Sequence, residues 1–340
     1  MPRSYTRPLT AAAALFAFVA PAFAQEVNLY SSRHYESDDA LYAKFTEETG
    51  ITVNRIEAKA DELIARLEAE GDNSPADVLI TVDVGVMDRA ESAGVLQPFD
   101  SATIEERIPE RFQSPDNLWF GLAQRARIIF YAKDRVENPP QTYEELADPK
   151  WDDTICIRSS SNIYNQSLLA SVIEVHGEDV AKDWAAGVLE NMARAPQGGD
   201  TDQLRGLVSG ECDVAVSNHY YYVRGYAGQV DGLTEGVDDL AWVWPNQDGR
   251  GTHVNLTTAA LTANAPNEEN AMKFLEFLVS DTAQQMFASG NHEYPAVEGL
   301  SGAETTERLG DFKADGTTPT AAFSRNAAKA QAIFNQVGWD

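Results

Sequence analysis

The chain has 340 residues, 43% of them hydrophobic, and carries a formal charge of −27. That hydrophobic content is ample for sizeable cores and argues against disorder, and the length suits one two-lobed domain or two domains. The charge repels nucleic acid and anionic lipid and leaves a cation as the better partner.

Residues 1–24 read as a secretory signal. Arg3 and Arg7 supply positive charge, residues 11–20 form a short apolar run, and Ala22-Phe23-Ala24 is a small-x-small cleavage site. Cleavage is expected after Ala24, and loss of the two arginines makes the mature chain more acidic still. No cysteine follows the cleavage point, so no lipid anchor is expected there. No later run of about 18 apolar residues would span a membrane. The expected location is the periplasm or the medium.

Strand and helix signals then alternate. Residues 27–30 read as a strand. Ser37 or Asp38 can cap a helix running to about Thr49, where Gly50 stops it. Residues 51–56 alternate as a strand, 61–70 return to helical spacing, 77–82 form a buried strand, and 84–93 a helix ended by Gly94. Residues 127–131, 154–158, 213–217 and 240–245 read as strands, and 253–261 as extended. Helices are expected over 162–176, 219–226, 268–279, 282–288 and 321–337, the last with Gly338 just past its end.

Repeated βα units imply parallel sheets covered by helices. With no long linker, two α/β lobes whose chain crosses between them more than once fit best. The crossings are expected near 123–131 and 244–258. They divide the chain into an N-terminal lobe of residues 25–123 plus about 250–298, and a C-terminal lobe of about 124–249 plus 299–340. Such crossings make a hinge, and the cleft between lobes makes a binding site.

Tyrosines recur where a strand hands over to a helix: in Ser31-Ser32-Arg33-His34-Tyr35, in Ser159-Ser160-Ser161-Asn162-Ile163-Tyr164, and in Asn218-His219-Tyr220-Tyr221-Tyr222. In open parallel sheets, ligands bind beyond the carboxyl ends of strands. Tyr220 and Tyr221 would diverge in a strand but converge at a helix start. Asn218 is a good cap for that start, and the helix amino terminus lowers the cost of a phenolate.

A phenol normally titrates near pH ~10, but a trivalent cation reverses that preference by deprotonating its ligands. Phenolate is a hard anionic oxygen suited to Fe(III). Four phenolates on Fe(III) leave one net negative charge, and a guanidinium can balance it, with Arg125, Arg127 and Arg224 as candidates. Fe(II) would leave a further negative charge and weaker binding. His34 is a ligand or a hydrogen-bond donor to one. Tyr222 is expected to pack, His219 to face elsewhere, His176 to lie on the surface, and Asp83 to cap a helix. Read singly, each tyrosine is more often a packing residue with its hydroxyl on a backbone partner.

At these residues the chain resembles the periplasmic ferric-iron-binding proteins of ABC importers, in the tyrosine-rich subgroup of the type II periplasmic binding protein superfamily. The matching segments are Tyr30-Ser31-Ser32-Arg33-His34-Tyr35, Gln124-Arg125-Ala126-Arg127, Ser161-Asn162-Ile163-Tyr164-Asn165, Asn218-His219-Tyr220-Tyr221-Tyr222 and Asn291-His292-Glu293-Tyr294-Pro295. The resemblance implies a monomer of two lobes closing on Fe(III) and docking on an ABC permease in the inner membrane. It implies Tyr35, Tyr164, Tyr220 and Tyr221 as ligands, His34 as a position of variable role, and Arg125 and Arg224 as charges around them. Tyr35 and Tyr164 take over roles that other branches give to a His, a Glu and a bound anion.

Cys156 and Cys212, the chain's two cysteines, both read as strand positions. An exported pair is read as a disulfide between neighbouring strands, with two buried free thiols as the alternative. Two other functions compete with the iron carrier. One is a binding protein for a small organic cation or sugar, held by the same aromatic rings. The other is a secreted enzyme, against which stand the lack of a Gly-x-Ser-x-Gly elbow, of His-Glu-x-x-His, and of metal-ligand spacing among the five histidines.

Overall fold

The computed structural model describes residues 25–33 and 35–340, so the signal segment 1–24 and His34 lie outside the described residues. Its strands are β1 (Glu26–Ser31), β2 (Thr52–Glu57), β3 (Val78–Thr81), β4 (Trp119–Ala132), β5 (Ile155–Cys156), β6 (Val214–Asn218), β7 (Leu240–Val243), β8 (Val254–Leu261) and β9 (Tyr294–Pro295). The helices are α1 (Ser37–Thr49), α2 (Ala60–Glu70), α3 (Val84–Ser92), α4 (Ala102–Arg107), α5 (Ile163–His176), α6 (Glu178–Glu190), α7 (Asp200–Ser209), α8 (His219–Tyr226), α9 (Glu268–Leu278), α10 (Asp281–Asn291), α11 (Glu304–Glu307) and α12 (Ala321–Val337).

The strands run in the order β2-β1-β3-β8-β4-β6-β5, with β7 and β9 also paired to β4. The α/β architecture has mixed pairing. β1 pairs parallel with β2 and β3, and β5 with β6. The strands that join the two halves run antiparallel to their neighbours. A βα unit must return parallel because its helix carries the chain back. β8 has no such helix before it and comes straight across from the other half.

β4 is the shared spine. Through Trp119–Ala126 it pairs with β8, and through Arg127–Tyr131 with β6. Helices cover both faces of each half. In the first half, Val27, Leu29 and Ile80 pack with Phe45, Phe274 and Leu278 of α1 and α9, while Leu79 packs with Leu63 of α2 and Met87 of α3 on the opposite face. In the second half, Ile129 and Val216 pack under α5, α6 and α12, and Ile128, Phe130 and Ala215 under α7 and α8. The odd–even split along β4 is the two-residue period of a strand buried on both faces.

Several helix ends are as the sequence predicts. Gly50, Gly94 and Gly338 all have positive φ, the conformation that glycine adopts without a Cβ penalty. The start of α1 differs. Glu36 stands at the cap position with no side-chain bond, because the Asp38 carboxylate turns inward to a buried arginine. Helices α6 and α7 fill a stretch left unassigned by the sequence reading, and α6 follows α5 after Gly177 alone.

Cys156 and Cys212 form a disulfide with Cα atoms 5.8 Å apart. Cys156 ends β5 as predicted, whereas Cys212 lies in the turn between α7 and β6. A Cβ on Gly206 of α7 would come within 2.8 Å of the Cys212 sulfur and 3.0 Å of the Cys156 sulfur. Glycine there is what lets α7 lie against the bridge.

Candidate metal centre

Four tyrosines meet where the two halves face each other. Tyr35 follows β1 in the first half. Tyr164 sits in the first turn of α5, where the Asn162 side-chain amide oxygen accepts the Tyr164 N–H and caps the helix. Tyr220 and Tyr221 open α8, directly after β6. The Tyr220 hydroxyl lies 3.4 Å from the hydroxyls of both Tyr35 and Tyr164. The Tyr220 and Tyr221 ring centroids are 4.3 Å apart, so the pair converges as a helix start allows. Tyr220 is fully buried; the other three are half-buried.

The expected cap at α8 is not made. The Asn218 side chain gives no hydrogen bond to the helix; its oxygen accepts from Arg127 instead. That guanidinium also donates to Asp200, at 3.1 and 3.2 Å, and to the Asn165 oxygen at 2.8 Å. Arg127 and Asp200 are both buried. Burial removes water from the guanidinium, and the carboxylate on α7 compensates its charge.

Guanidinium groups lie over the tyrosine rings. Arg125, Arg158 and Arg127 stand 5.4, 5.6 and 5.8 Å from the Tyr164 centroid, and Arg33 stands 4.9 Å from that of Tyr35. Arg125 and Arg127 are two residues apart on β4 and so share a face. Arg33 and Arg125 both approach Glu293, at 2.8 and 3.5 Å. Arg33 also pairs with Asp38 through two bonds of 2.8 and 2.9 Å. Arg224 is placed elsewhere: its side chain makes no hydrogen bond or ion pair among the described residues. Burial lowers the pKa of His292, and the charge of Arg224 lowers it further.

Burial holds the phenols of Tyr35, Tyr220 and Tyr221 protonated well beyond the ordinary range, and their mutual proximity adds to the effect. Arg33 opposes this at Tyr35, and Arg125 at Tyr220. Tyr35, Tyr220 and Tyr221 are therefore neutral phenols that a strongly charged cation could deprotonate. Among the described residues, no group of three or more His, Cys, Asp or Glu side chains is disposed to hold a metal. A small cavity of about 10 Å³ adjoins Tyr164 of the cluster, bounded also by Arg125, Arg127, Asn218, His253 and Asn255. A larger cleft of about 960 Å³ lies between α3, the segment before β4 and the start of α12, and none of the four tyrosines lines it.

The neighbouring residues divide as the sequence suggests. Tyr222 is buried and stacks on Phe130, with centroids 5.2 Å apart. Asp83 caps α3 through the Gly85 N–H and also accepts from Ser167 of α5 and Asn255 of β8. His176 pairs with Glu144 at the surface. His219 accepts the Ala126 N–H at Nδ1, which leaves Nε2–H to donate to the His292 carbonyl. Burial lowers its pKa to about 4, so it is a neutral strut behind Tyr220. The sequence reading assigned no role to Arg33, Arg158, Asp200 or Glu293. Arg33 and Glu293 lie within the matched segments; Asp200 had no signal beyond an acidic helix start.

The chain is similar to proteins of known role. It is 48% identical to iron uptake protein A1 of Synechocystis over 320 residues, covering 94% of this chain and 89% of that protein. It is 28% identical over 237 residues to the thiamine-binding periplasmic protein of Escherichia coli, covering 69% and 68%. Among solved structures, the Trichodesmium protein IdiA (FutA) in complex with iron and citrate superimposes with a TM-score of 0.87 at 47% identity, covering 93% of this chain and all of that one. Residues 73–340 match the profile of the bacterial extracellular solute-binding proteins, and with these relatives across nearly its whole length the chain belongs to that family.

Proposed function

We propose that this protein captures ferric iron between its two halves through Tyr35, Tyr164, Tyr220 and Tyr221 and delivers it to an ABC permease. The observation that carries the reading is the Tyr220 hydroxyl, 3.4 Å from a phenol of each half. Phenols presenting hydroxyls to one point suit a hard cation. An organic cation would need ring faces spread around it, and here the faces of Tyr35 and Tyr164 are taken by arginines.

Binding exchanges phenol protons for the metal. The buried phenols stay neutral until a trivalent ion arrives, and four phenolates then leave the complex one charge negative. Arg33, Arg125, Arg127 and Arg158 soften that charge. Reduction adds a second negative charge, so Fe(II) is held less well and is the weaker cargo. His34 stands beside Tyr35 in sequence as a fifth donor. The carrier is a monomer without catalytic activity, exported to the periplasm by cleavage after Ala24. Its lobes, residues 25–123 with about 250–298 and about 124–249 with 299–340, hinge on β4 and β8.

Iron analysis tests this. The mature protein, mixed with Fe(III)–citrate and desalted, should retain about one ferric ion per chain, and thiamine in excess should not displace it. Retention of thiamine and loss of iron would favour the organic-cation reading instead.

A further inference from the structure

Glu293 is fully buried just after α10, immediately before β9, whose Tyr294 and Pro295 pair with Gln124 and Ala123 of β4. That pairing sets its carboxylate between two guanidinium groups from different parts of the chain. One oxygen lies 2.8 Å from Arg33 and the other 3.5 Å from Arg125. The Thr257 hydroxyl donates to the same carboxylate at 3.3 Å and accepts from both arginines at 3.3 Å. Arg33 covers the Tyr35 ring and Arg125 the Tyr164 ring. Asp38, by contrast, pairs among the described residues with Arg33 alone.

We infer that Glu293 is a shared counter-ion: by dividing its charge between Arg33 and Arg125, it limits how strongly these two arginines stabilise metal-bound phenolates on both halves. It is a positioning residue, acting through the arginines rather than touching the iron. The inference rests on the ferric–tyrosinate reading above. Arg33, Arg125, Asp38 and Glu293 sum to zero charge, so this group offers the ferric complex no net positive charge. Neutralising Glu293 leaves one positive charge, which matches the ferric complex and also favours the doubly negative ferrous one. The carboxylate therefore keeps ferric binding below its attainable strength and keeps the reduction potential low. A carrier that must release its cargo to a permease gains from the weaker ferric binding, and the low potential keeps the cargo ferric until then.

The test is Glu293→Gln, which keeps the shape and removes the charge. Ferric affinity is measured by competition with citrate, the reduction potential by spectroelectrochemistry, and the visible charge-transfer band is the control. At an effective dielectric near 20, a unit charge at ~10 Å changes a binding constant about tenfold, so the variant should bind ferric iron about tenfold more tightly. The ferrous form should gain about tenfold more, a positive shift of about 59 mV for one electron. Glu293→Asp, whose carboxylate is drawn back by one methylene, should move both quantities the same way by a smaller step, and it decides the matter if the Gln variant does not fold. Weaker ferric binding in the variant with an unchanged or lower potential would overturn the inference, because that is what a purely structural Glu293 predicts. A wild type with no charge-transfer band would overturn the ferric–tyrosinate reading and this inference with it. A wild-type band with the wrong sign of shift overturns this inference alone.

Discussion

The two halves contribute unequally to the tyrosine cluster. The first brings Tyr35 on a segment after β1, held by Arg33 and its two carboxylate partners. The second brings Tyr164, Tyr220 and Tyr221 on the first turns of two helices, α5 and α8. Beneath them, Arg127 is fixed by Asp200, Asn165 and Asn218, and the disulfide ties β5 to the turn before β6. Helix starts favour developing phenolates, and rigid elements hold a site more tightly than loops do. The difference teaches that the second half is a preformed platform and the first half is the part that completes it.

That asymmetry can be broken. Tyr220→Phe removes the one hydroxyl that meets both Tyr35 and Tyr164. It should weaken ferric binding by more than the ~10–100-fold that losing a supporting partner of a metal ligand costs. Tyr35→Phe leaves the platform intact and should cost clearly less in the same citrate competition. Equal losses would abolish the distinction between platform and closure.

Asp200→Asn strikes the platform from below. Removing one partner of a buried ion pair costs about 3–5 kcal/mol, so denaturant unfolding should show a loss of that order, together with weaker iron binding. The matching change in the first half, Asp38→Asn, leaves Arg33 paired with Glu293 and should cost less. Reducing the disulfide removes about 2–5 kcal/mol of stability, concentrated in the second half. Iron affinity should fall while hydrogen exchange in β1 and β3 stays protected; unchanged affinity would show that the bridge does not brace the platform.

The smallest effect concerns the strut behind Tyr220. Burial holds His219 neutral in the folded protein, with a pKa of about 4 against an ordinary value near 6.5. The unfolded chain takes up a proton as pH falls below about 6.5 and the folded one does not, so this contribution to stability declines between about pH 6.5 and 4. The slope is at most ~1.4 kcal/mol per pH unit. The difference in melting temperature between the wild type and His219→Gln should narrow from pH 7.5 to pH 5. A gap that stays constant would mean that His219 is not held neutral.

Much of this was legible in the sequence because it is local. A strand that hands over to a helix beside a tyrosine can be read from a few adjacent residues, and three such junctions carry Tyr35, Tyr164, Tyr220 and Tyr221. The parts not legible are long-range. Arg33 meets Glu293 across 260 residues of sequence, and Arg127 meets Asp200 across 73; buried ion pairs leave no periodic trace. The same physics explains the failed caps. Asn218 and Asp38 carry the right side chains for helix starts, but each was claimed by a buried guanidinium whose desolvation needed it more. Arg224 lies three residues past Tyr221 in sequence, yet in the fold its charge acts on His292.

The central claim is that phenol oxygens of both halves converge on one ferric ion, and the visible spectrum tests it most directly. Fe(III)–citrate added to the mature protein should raise a broad charge-transfer band that saturates near one equivalent. The band should fade with dithionite and be weakened or lost in Tyr220→Phe and Tyr221→Phe. A protein that stays colourless at saturating iron would contradict the account.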